Sequence, residues 1–318
     1  MKKAVVLGAT GGSGQAIVSE LLFRGIEVIA FGRSENKLKE LMKEHGFTSL
    51  LTYRLGDIFD YRTIVEAAKD VDVIFQCANV QYHEMADKLL LLGENVMKAA
   101  DILGKKIVIV DGIYVYGHQV AKGDEDHPKQ PHTKKGKIRV EFENLIFDRK
   151  WQSAKALIVR LPDYYGITSQ NSYLQPTLNG FAENKISVFI GNLKTPREYV
   201  YLPDAAKMIV EIANKDDSYG ENWNIPGAGL ISGKEIIKLA REITGNKKLV
   251  IPLNKNVIRI SGLFNPFMKE VVEIMYLTEE GFTLSGEKYE NRIGEIIATP
   301  YKDGLKETLT SLMGKIKK

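Results

Sequence analysis

Short apolar runs alternating with amphipathic stretches pattern the first half of the chain. Ala4-Val5-Val6-Leu7 is followed, across a glycine-rich gap, by Ala16-Ile17-Val18 and Leu21-Leu22 at helical spacing. Further apolar runs lie at 27–31, 49–53, 71–77, 106–110 and 155–161, and amphipathic patterns at 60–69, 84–103, 135–149 and 203–214. The runs predict strands covered on both faces, and the amphipathic stretches predict the helices between them. Such alternation predicts an α/β chain with a doubly wound parallel sheet. After Gly166 the character changes to shorter elements, most of the prolines, and clustered Asn, Gly and Tyr. The expected organisation is a sheet domain over 1–165, with returning segments near 197–228, and a smaller substrate-binding lobe over 166–318.

Composition narrows this picture only a little. The 318 residues carry 44 basic against 40 acidic side chains, a net charge of +4, mostly interspersed. The terminal Lys315-Ile316-Lys317-Lys318 reads as a frayed tail rather than a nucleic-acid patch. A strand starting at the third residue leaves no room for a signal peptide, and the apolar runs are too short to span a bilayer. The single cysteine, Cys77, rules out an internal disulfide and a cysteine-based metal cluster; set in an apolar run, it reads as an inert thiol. His83, His118, His127 and His132 show no metal-ligand spacing. The expectation is a cytoplasmic protein with a small-molecule partner and neither nucleic acid nor membrane, the choice between monomer and homodimer staying open.

The gap after the first strand carries the chemistry. In Gly8-Ala9-Thr10-Gly11-Gly12-Ser13-Gly14, Gly8 permits a tight turn, Gly11 lets backbone amides approach a pyrophosphate, and Gly14 lets helix and strand pack closely. The helix that follows would offer amides and a positive dipole end to the phosphates. A glycine triplet alone could be a plain turn; between strand and helix at the start of a βαβ unit it points to a dinucleotide and a Rossmann-type sheet. The second strand ends in Gly32-Arg33-Ser34, where an NAD-selective site would place a carboxylate on the ribose hydroxyls. Arg33 offers a cationic fork for a 2′-phosphate, with Ser34 as a second donor, so NADP(H) is favoured over NAD(H). The alternative for Arg33 is a solvated residue opening a helix.

The loops after 77, 110 and 161 should line the site, because ligands of such sheets lie at the carboxyl ends of the strands. Their residues resemble the extended short-chain dehydrogenase/reductases, the NAD-dependent epimerases and dehydratases. The glycine turn resembles that family's cofactor turn, Gly56-Asp57-Ile58 its adenine-contacting segment, and Cys77-Ala78-Asn79 the small-residue turn beside the cofactor. Val115-Tyr116-Gly117, the strand exit Arg160-to-Gly166 including Leu161, the segment Arg197-to-Ala206 and the strand at Glu221-to-Gly227 follow in the family's order. The resemblance implies cofactor contacts from Gly8, Thr10, Gly11, Gly12, Ser13, Gly14, Asp57, Ile58, Cys77, Ala78, Asn79 and Leu161. It also implies hydride-transfer chemistry on a sugar-like or small carbonyl substrate.

The catalytic positions depart from the family pattern, in which a Tyr and a Lys four residues apart share one helix face. Alignment keeps the lysine as Lys137, either a candidate for the ribose or a solvated lysine of a helix rich in Lys and Arg, but puts Thr133 at the tyrosine position. It also puts Gly112 at the usual serine position, with Asp111 before it. A threonine hydroxyl lies far outside the useful range for acid–base work. The proton donor could instead be Tyr114, Tyr116, His132, Tyr164 or Tyr165, or Asp111 could act as a base. The competing reading is a redox-linked sensor that binds NADP(H) without turnover. Tyr164 and Arg197 are candidate substrate contacts, with Arg197 suited either to an anionic phosphate or to a neighbouring carboxylate such as Glu198 or Asp204. Asn171, Tyr173 and Gln175 are weaker candidates.

Overall fold

The computed structural model describes residues 1–118, 122–170, 172–261, 266–279 and 281–316. Asn171, Lys317 and Lys318 lie outside the described residues. The chain divides into two compact units, and three stretches build the first: Met1–Gly112, Lys137–Arg160 and Ala206–Trp223.

The first unit is organised on a seven-stranded sheet. Its leading strands are β1 (Lys3–Leu7), β2 (Glu27–Gly32), β3 (Leu51–Leu55), β4 (Val73–Gln76) and β5 (Lys106–Gly112). The spatial order is Asn222–Asn224, Lys155–Leu161, β5, β4, β1, β2, β3. β1 pairs in parallel with β2 and β4, β2 with β3, and β4 with β5. The order therefore reverses beside β1, the switch point where doubly wound sheets bind ligands. Every residue of β4 and nearly every residue of β1 is buried, so these strands read as unbroken apolar runs rather than alternating ones. Helices α1 (Gly12–Phe23), α2 (Glu35–Glu44), α3 (Tyr61–Ala68), α4 (Met85–Leu103) and α5 (Lys134–Ile146) connect the strands. One large cluster joins Leu7, Phe31, Ile74, Leu89, Ile109 and Phe142 into a continuous core. Gly93 of α4 is required by close packing, since a Cβ there would stand 2.6 Å from Leu145 and 2.8 Å from Phe142 of α5.

The second unit comprises Ile113–Gly136, Leu161–Ala205 and Asn224–Lys318. It thus includes the segment 113–136, which the chain pattern alone assigns to the first domain, and the returning part of the first unit is the narrower Ala206–Trp223. Pro196–Tyr201 pairs in parallel with Asp163–Tyr165 and antiparallel to Leu230–Ser232, while Ser187–Ile190 pairs with Val250–Leu253. Its core gathers Tyr165, Leu178, Phe189, Tyr199, Ile236 and Leu305. The helix Gly233–Thr244 opens on a full capping box, Ser232 with Glu235.

Candidate functional site

Gly8 ends β1 with φ +77°, and its N–H and that of Ala9 donate to the Phe31 carbonyl at 3.1 and 3.3 Å. A Cβ on Gly8 would stand 2.6 Å from the Ala78 nitrogen; one on Gly14 would stand 2.3 Å from the Gly8 carbonyl oxygen. Both glycines are therefore imposed by backbone passing backbone, not by flexibility. Gly11 is the N-cap of α1, which has no side-chain cap and no acidic residue in its first turn. By contrast Ser34 caps α2 and Asp60 caps α3 through their side chains. Gln15 steadies the turn by donating from Nε2 to the Thr10 carbonyl at 2.9 Å. Gly12 is buried and Ser13 half-buried; the Ser13 hydroxyl bonds the Cys77 thiol, which burial nonetheless pushes up to about 12. Cys77 is thus a neutral, unreactive thiol at neutral pH.

Along the carboxyl edge, Arg33 and Ser34 follow β2 and are both exposed. The Ser34 hydroxyl accepts from Lys37 N–H at 3.4 Å, so it caps α2 whatever else it binds. Asp57 is exposed and turns one carboxylate oxygen onto the Phe59 N–H at 3.0 Å, while Ile58 beside it is buried. Beyond β4, the turn Cys77-Ala78-Asn79 is braced by Gln76, a residue the chain pattern did not single out. Its side chain accepts from Ala78 N–H at 3.1 Å and donates to the Ala78 carbonyl at 2.6 Å. The available signal was a polar residue closing the apolar run Val73-Ile74-Phe75.

Asp111 lies at the end of β5 with a fully buried side chain, and its Oδ1 accepts from the Arg139 guanidinium of α5. Arg139 also donates to Asn79 Oδ1 at 2.9 Å. Arg139 was absent from the expected site, yet it joins the ends of β4 and β5. Removing one member of a buried ion pair typically costs about 3–5 kcal/mol, because the other charge stays buried. The buried positions of α5 are Lys135, Gly136, Arg139, Phe142, Glu143 and Ile146, whereas Lys137 is exposed. Two residues turn a helix by about 200°, so Lys137 faces away from Arg139. Lower on the same face, Glu143 accepts from the buried Arg160 at 2.7 Å and ties α5 to the strand Lys155–Leu161. Leu161 ends that strand as a buried packing residue.

Thr133, Tyr116 and Tyr164, among the expected site residues of the second unit, make bonds within the protein. Thr133 is buried, and its hydroxyl accepts from Gly136 N–H at 3.0 Å, the N-cap bond of α5. The Tyr116 hydroxyl donates to Asn224 Oδ1 at 3.2 Å, and that of Tyr164 to the Gln170 carbonyl at 3.0 Å. The Tyr165 hydroxyl is buried, and a Cβ on Gly304 would stand only 2.5 Å from it. His132 is exposed and stacks on His118 with ring centroids 3.7 Å apart. Tyr114 is half-buried in the turn Ile113–Tyr116. Tyr173 is half-buried with its N–H on Asp163, and Gln175 bonds Asn179 within its own helix.

Arg197 is buried, donates to the Ile190 carbonyl at 3.0 Å, and lies over the Tyr199 and Phe189 rings at 5.0 and 5.4 Å. Neither Glu198 nor Asp204 is its partner. Asp204 accepts from Thr299 N–H at 2.7 Å, and Glu198 accepts from Gly227 and Leu284 N–H at 3.1 and 2.9 Å. The carboxyl that feels the Arg197 charge is Asp163, which burial holds up at about 6 while Arg197 pulls it the other way. Burial likewise lifts Glu198 to about 7, against its two N–H donors. Among the described residues no cluster of histidine, cysteine or carboxylate side chains could hold a metal ion. No described helix is long and apolar enough to cross a membrane.

Comparison with known proteins agrees with this framework. A Dictyostelium discoideum sterol-4-alpha-carboxylate 3-dehydrogenase (decarboxylating) is 25% identical over 184 residues, 52% of this chain and 54% of that protein. A Rickettsia bellii UDP-glucose 4-epimerase is 32% identical over 130 residues, 36% of this chain and 38% of that one. The matches thus span about half or less of these relatives. In three dimensions the Bacillus cereus UDP-glucuronic acid 4-epimerase, solved with NAD, superposes with a TM-score of 0.79 at 17% identity, covering 99% of this chain and 100% of that one. Residues 4–226 match the NAD dependent epimerase/dehydratase family, and the chain belongs to it.

Proposed function

We propose that the protein binds a nicotinamide dinucleotide on the first unit and uses it for hydride transfer on a sugar-like or small carbonyl substrate. The observation that carries this is the turn between β1 and α1, whose Gly8 and Gly14 leave no room for side chains and whose helix starts without a side-chain cap. The Gly11-to-Gly14 backbone would hold the pyrophosphate, Asp57 and Ile58 would flank the adenosine, and Ala78 and Asn79 would border the other nucleoside. When bound, the nicotinamide ring supplies the hydride acceptor or donor. Arg33, exposed after β2, supports NADP(H) over NAD(H), since a guanidinium fork suits a 2′-phosphate. Tyr164 and Arg197 stand as substrate contacts of the second unit, and the single cysteine is in keeping with a cytoplasmic setting.

A second reading has an observation of its own. Thr133 serves as a helix cap and the hydroxyls of Tyr116 and Tyr164 already bond within the protein, which favours a redox sensor that holds the cofactor without consuming it. One set of measurements tests both. Titration by cofactor fluorescence should give tighter binding for NADPH than NADH, and Arg33→Asp should reverse the order; unchanged relative affinity refutes the 2′-phosphate assignment. Incubation of NADPH with nucleotide sugars, sugar lactones, quinones and aldehydes should then show consumption with one of these classes. Tight binding with no consumption by any of them identifies the sensor.

A further inference from the structure

The two-stranded ribbon of the second unit has one face fully packed and the other packed only at one end. Its strands, Ser187–Ile190 and Val250–Leu253, run parallel with Val188 beside Ile251 and Ile190 beside Leu253. Side chains alternate across such a ribbon, and Ser187, Phe189 and Val250 turn inward and are buried. That side is fixed to the helix Gln175–Ala182: Thr177 Oγ1 donates to the Val188 carbonyl at 2.6 Å, and Ser187 Oγ to the Thr177 carbonyl at 2.8 Å. The outward row is aliphatic throughout, with Ile186, Val188 and Ile190 along one line and Leu249, Ile251 and Leu253 along the other. Ile190 and Leu253 pack against Ile258, Val271 and Met275. Away from that cluster the row emerges into solvent: Ile251 is 41% exposed, Ile186 59% and Leu249 63%.

The rim of this row narrows what can cover it. Lys185 precedes Ile186, Lys247 and Lys248 precede Leu249, and Lys255 follows Leu253 by two residues; all four are exposed. Glu183 pairs with Lys185 at 2.7 Å and Glu279 with Lys255 at 3.9 Å, both solvated pairs of small strength. Lys247 and Lys248 make no ion pair with a described residue. A second copy laid face to face would set these lysines against one another. A bilayer interface meets both needs together, acyl chains for the aliphatic row and anionic headgroups for the lysines.

We propose that this end of the ribbon is a peripheral contact with an anionic phospholipid surface. Ile186, Leu249 and Ile251 enter the boundary between headgroups and acyl chains, and Lys185, Lys247, Lys248 and Lys255 meet the headgroups. Such a contact needs no spanning helix, and no described helix is long and apolar enough to be one. It revises the expectation of a protein without a membrane partner, which considered spanning segments alone.

The test is sedimentation of the whole chain with vesicles of phosphatidylcholine, pure or with about one-third phosphatidylserine. Wild type should sediment with the mixed vesicles and stay in solution with pure phosphatidylcholine, and raised salt should lower the bound fraction. Lys247→Gln with Lys248→Gln should weaken binding roughly thirtyfold, at about fivefold per lysine. Leu249→Ser with Ile251→Thr keeps the lysines and should weaken it about tenfold or more. Unchanged thermal melts separate these losses from misfolding, since the altered side chains are exposed. Lys39→Gln with Lys43→Gln, two exposed lysines of α2 in the first unit, should bind like wild type. No sedimentation with mixed vesicles overturns the proposal, and so does equal sedimentation with pure phosphatidylcholine. An equal loss from the α2 pair would make net charge, not this ribbon, the cause, and overturns it too. A dimer in sedimentation velocity that Leu249→Ser with Ile251→Thr abolishes, without vesicle binding by wild type, would name a second copy as the cover instead.

Discussion

Two glycines of one turn should respond differently to the same methyl group. In Gly14→Ala the new Cβ would stand 2.3 Å from the Gly8 carbonyl oxygen and 3.0 Å from Ala9 Cα, both backbone atoms that cannot rotate away. Overpacking of this kind costs roughly 1–3 kcal/mol, less a gain of up to about 1 kcal/mol for alanine over glycine within a helix. A net loss of about 1–2 kcal/mol lowers the melting temperature by roughly 2–4 °C in a chain of this size. In Gly11→Ala the backbone, at φ −83° and ψ 168°, suits any residue, and the nearest atom to the new Cβ is 3.4 Å away. The fold should lose only about 0.5 kcal/mol, the difference between glycine and alanine at an N-cap. That methyl would nonetheless project from the N-cap of the helix proposed to hold the pyrophosphate. Displacing one charge-assisted N–H bond, worth about 1.5–3 kcal/mol, weakens the cofactor about tenfold or more. Thermal melts without ligand and fluorescence titration of NADPH read the two effects separately. Gly14→Ala should lose stability and affinity; Gly11→Ala should lose affinity alone. A Gly11→Ala protein that melts and binds like wild type would refute the placement of the phosphates on this turn.

Glu198 gives a pH signature. Its folded-state value of about 7 exceeds the ordinary 4.5, so the folded state holds the proton more tightly, and stability declines as pH rises from about 4.5 to 7 before levelling. The decline should amount to about 3 kcal/mol, and thermal melts from pH 4.5 to 8 should show Glu198→Gln with a visibly flatter profile; Asp163, raised to about 6, leaves a residual slope. Tyr116→Phe should cost about 1 kcal/mol through the lost bond to Asn224 and leave cofactor consumption within about twofold of wild type, whereas a hundredfold fall would make Tyr116 the proton donor.

The fold was legible because its signals are local. Lys3–Leu7 and Lys155–Leu161 occupy the bounds of their apolar runs, and α3, α4 and the helix Leu202–Ala213 fall within a few residues of theirs. Where bounds moved, side chains or turns account for it. The run at 71–77 narrows to Val73–Gln76, since Asp72 spends its carboxylate on the Lys2 and Lys3 amides and Cys77 opens the turn that Gln76 braces. The run at 49–53 slides to Leu51–Leu55 because a turn held by Thr48 precedes it. The family, too, was legible, carried by motifs in order along most of the chain.

The register of α5 was harder to read, and the reason is specific. Lys134, Lys135, Lys137 and Arg139 crowd one turn and a half with cations of similar propensity, so local preference cannot say which charge is buried. That choice is made by acceptors from other elements: Asp111 and Asn79 for Arg139, and Glu270 and Glu273 for Lys135. The family spacing directs attention to Thr133 and Lys137, while the buried face of α5 runs through other residues. Phe142 and Ile146 mark the apolar stripe, and stepping back by three from Phe142 reaches Arg139, not Lys137. A cation that falls on an apolar stripe must find a carboxylate, and in a doubly wound sheet the carboxylate available at the binding edge is the one closing a central strand. Asp111 closes β5. The Asp111–Arg139 pair is therefore placed by the stripe itself at the closing end of a central strand.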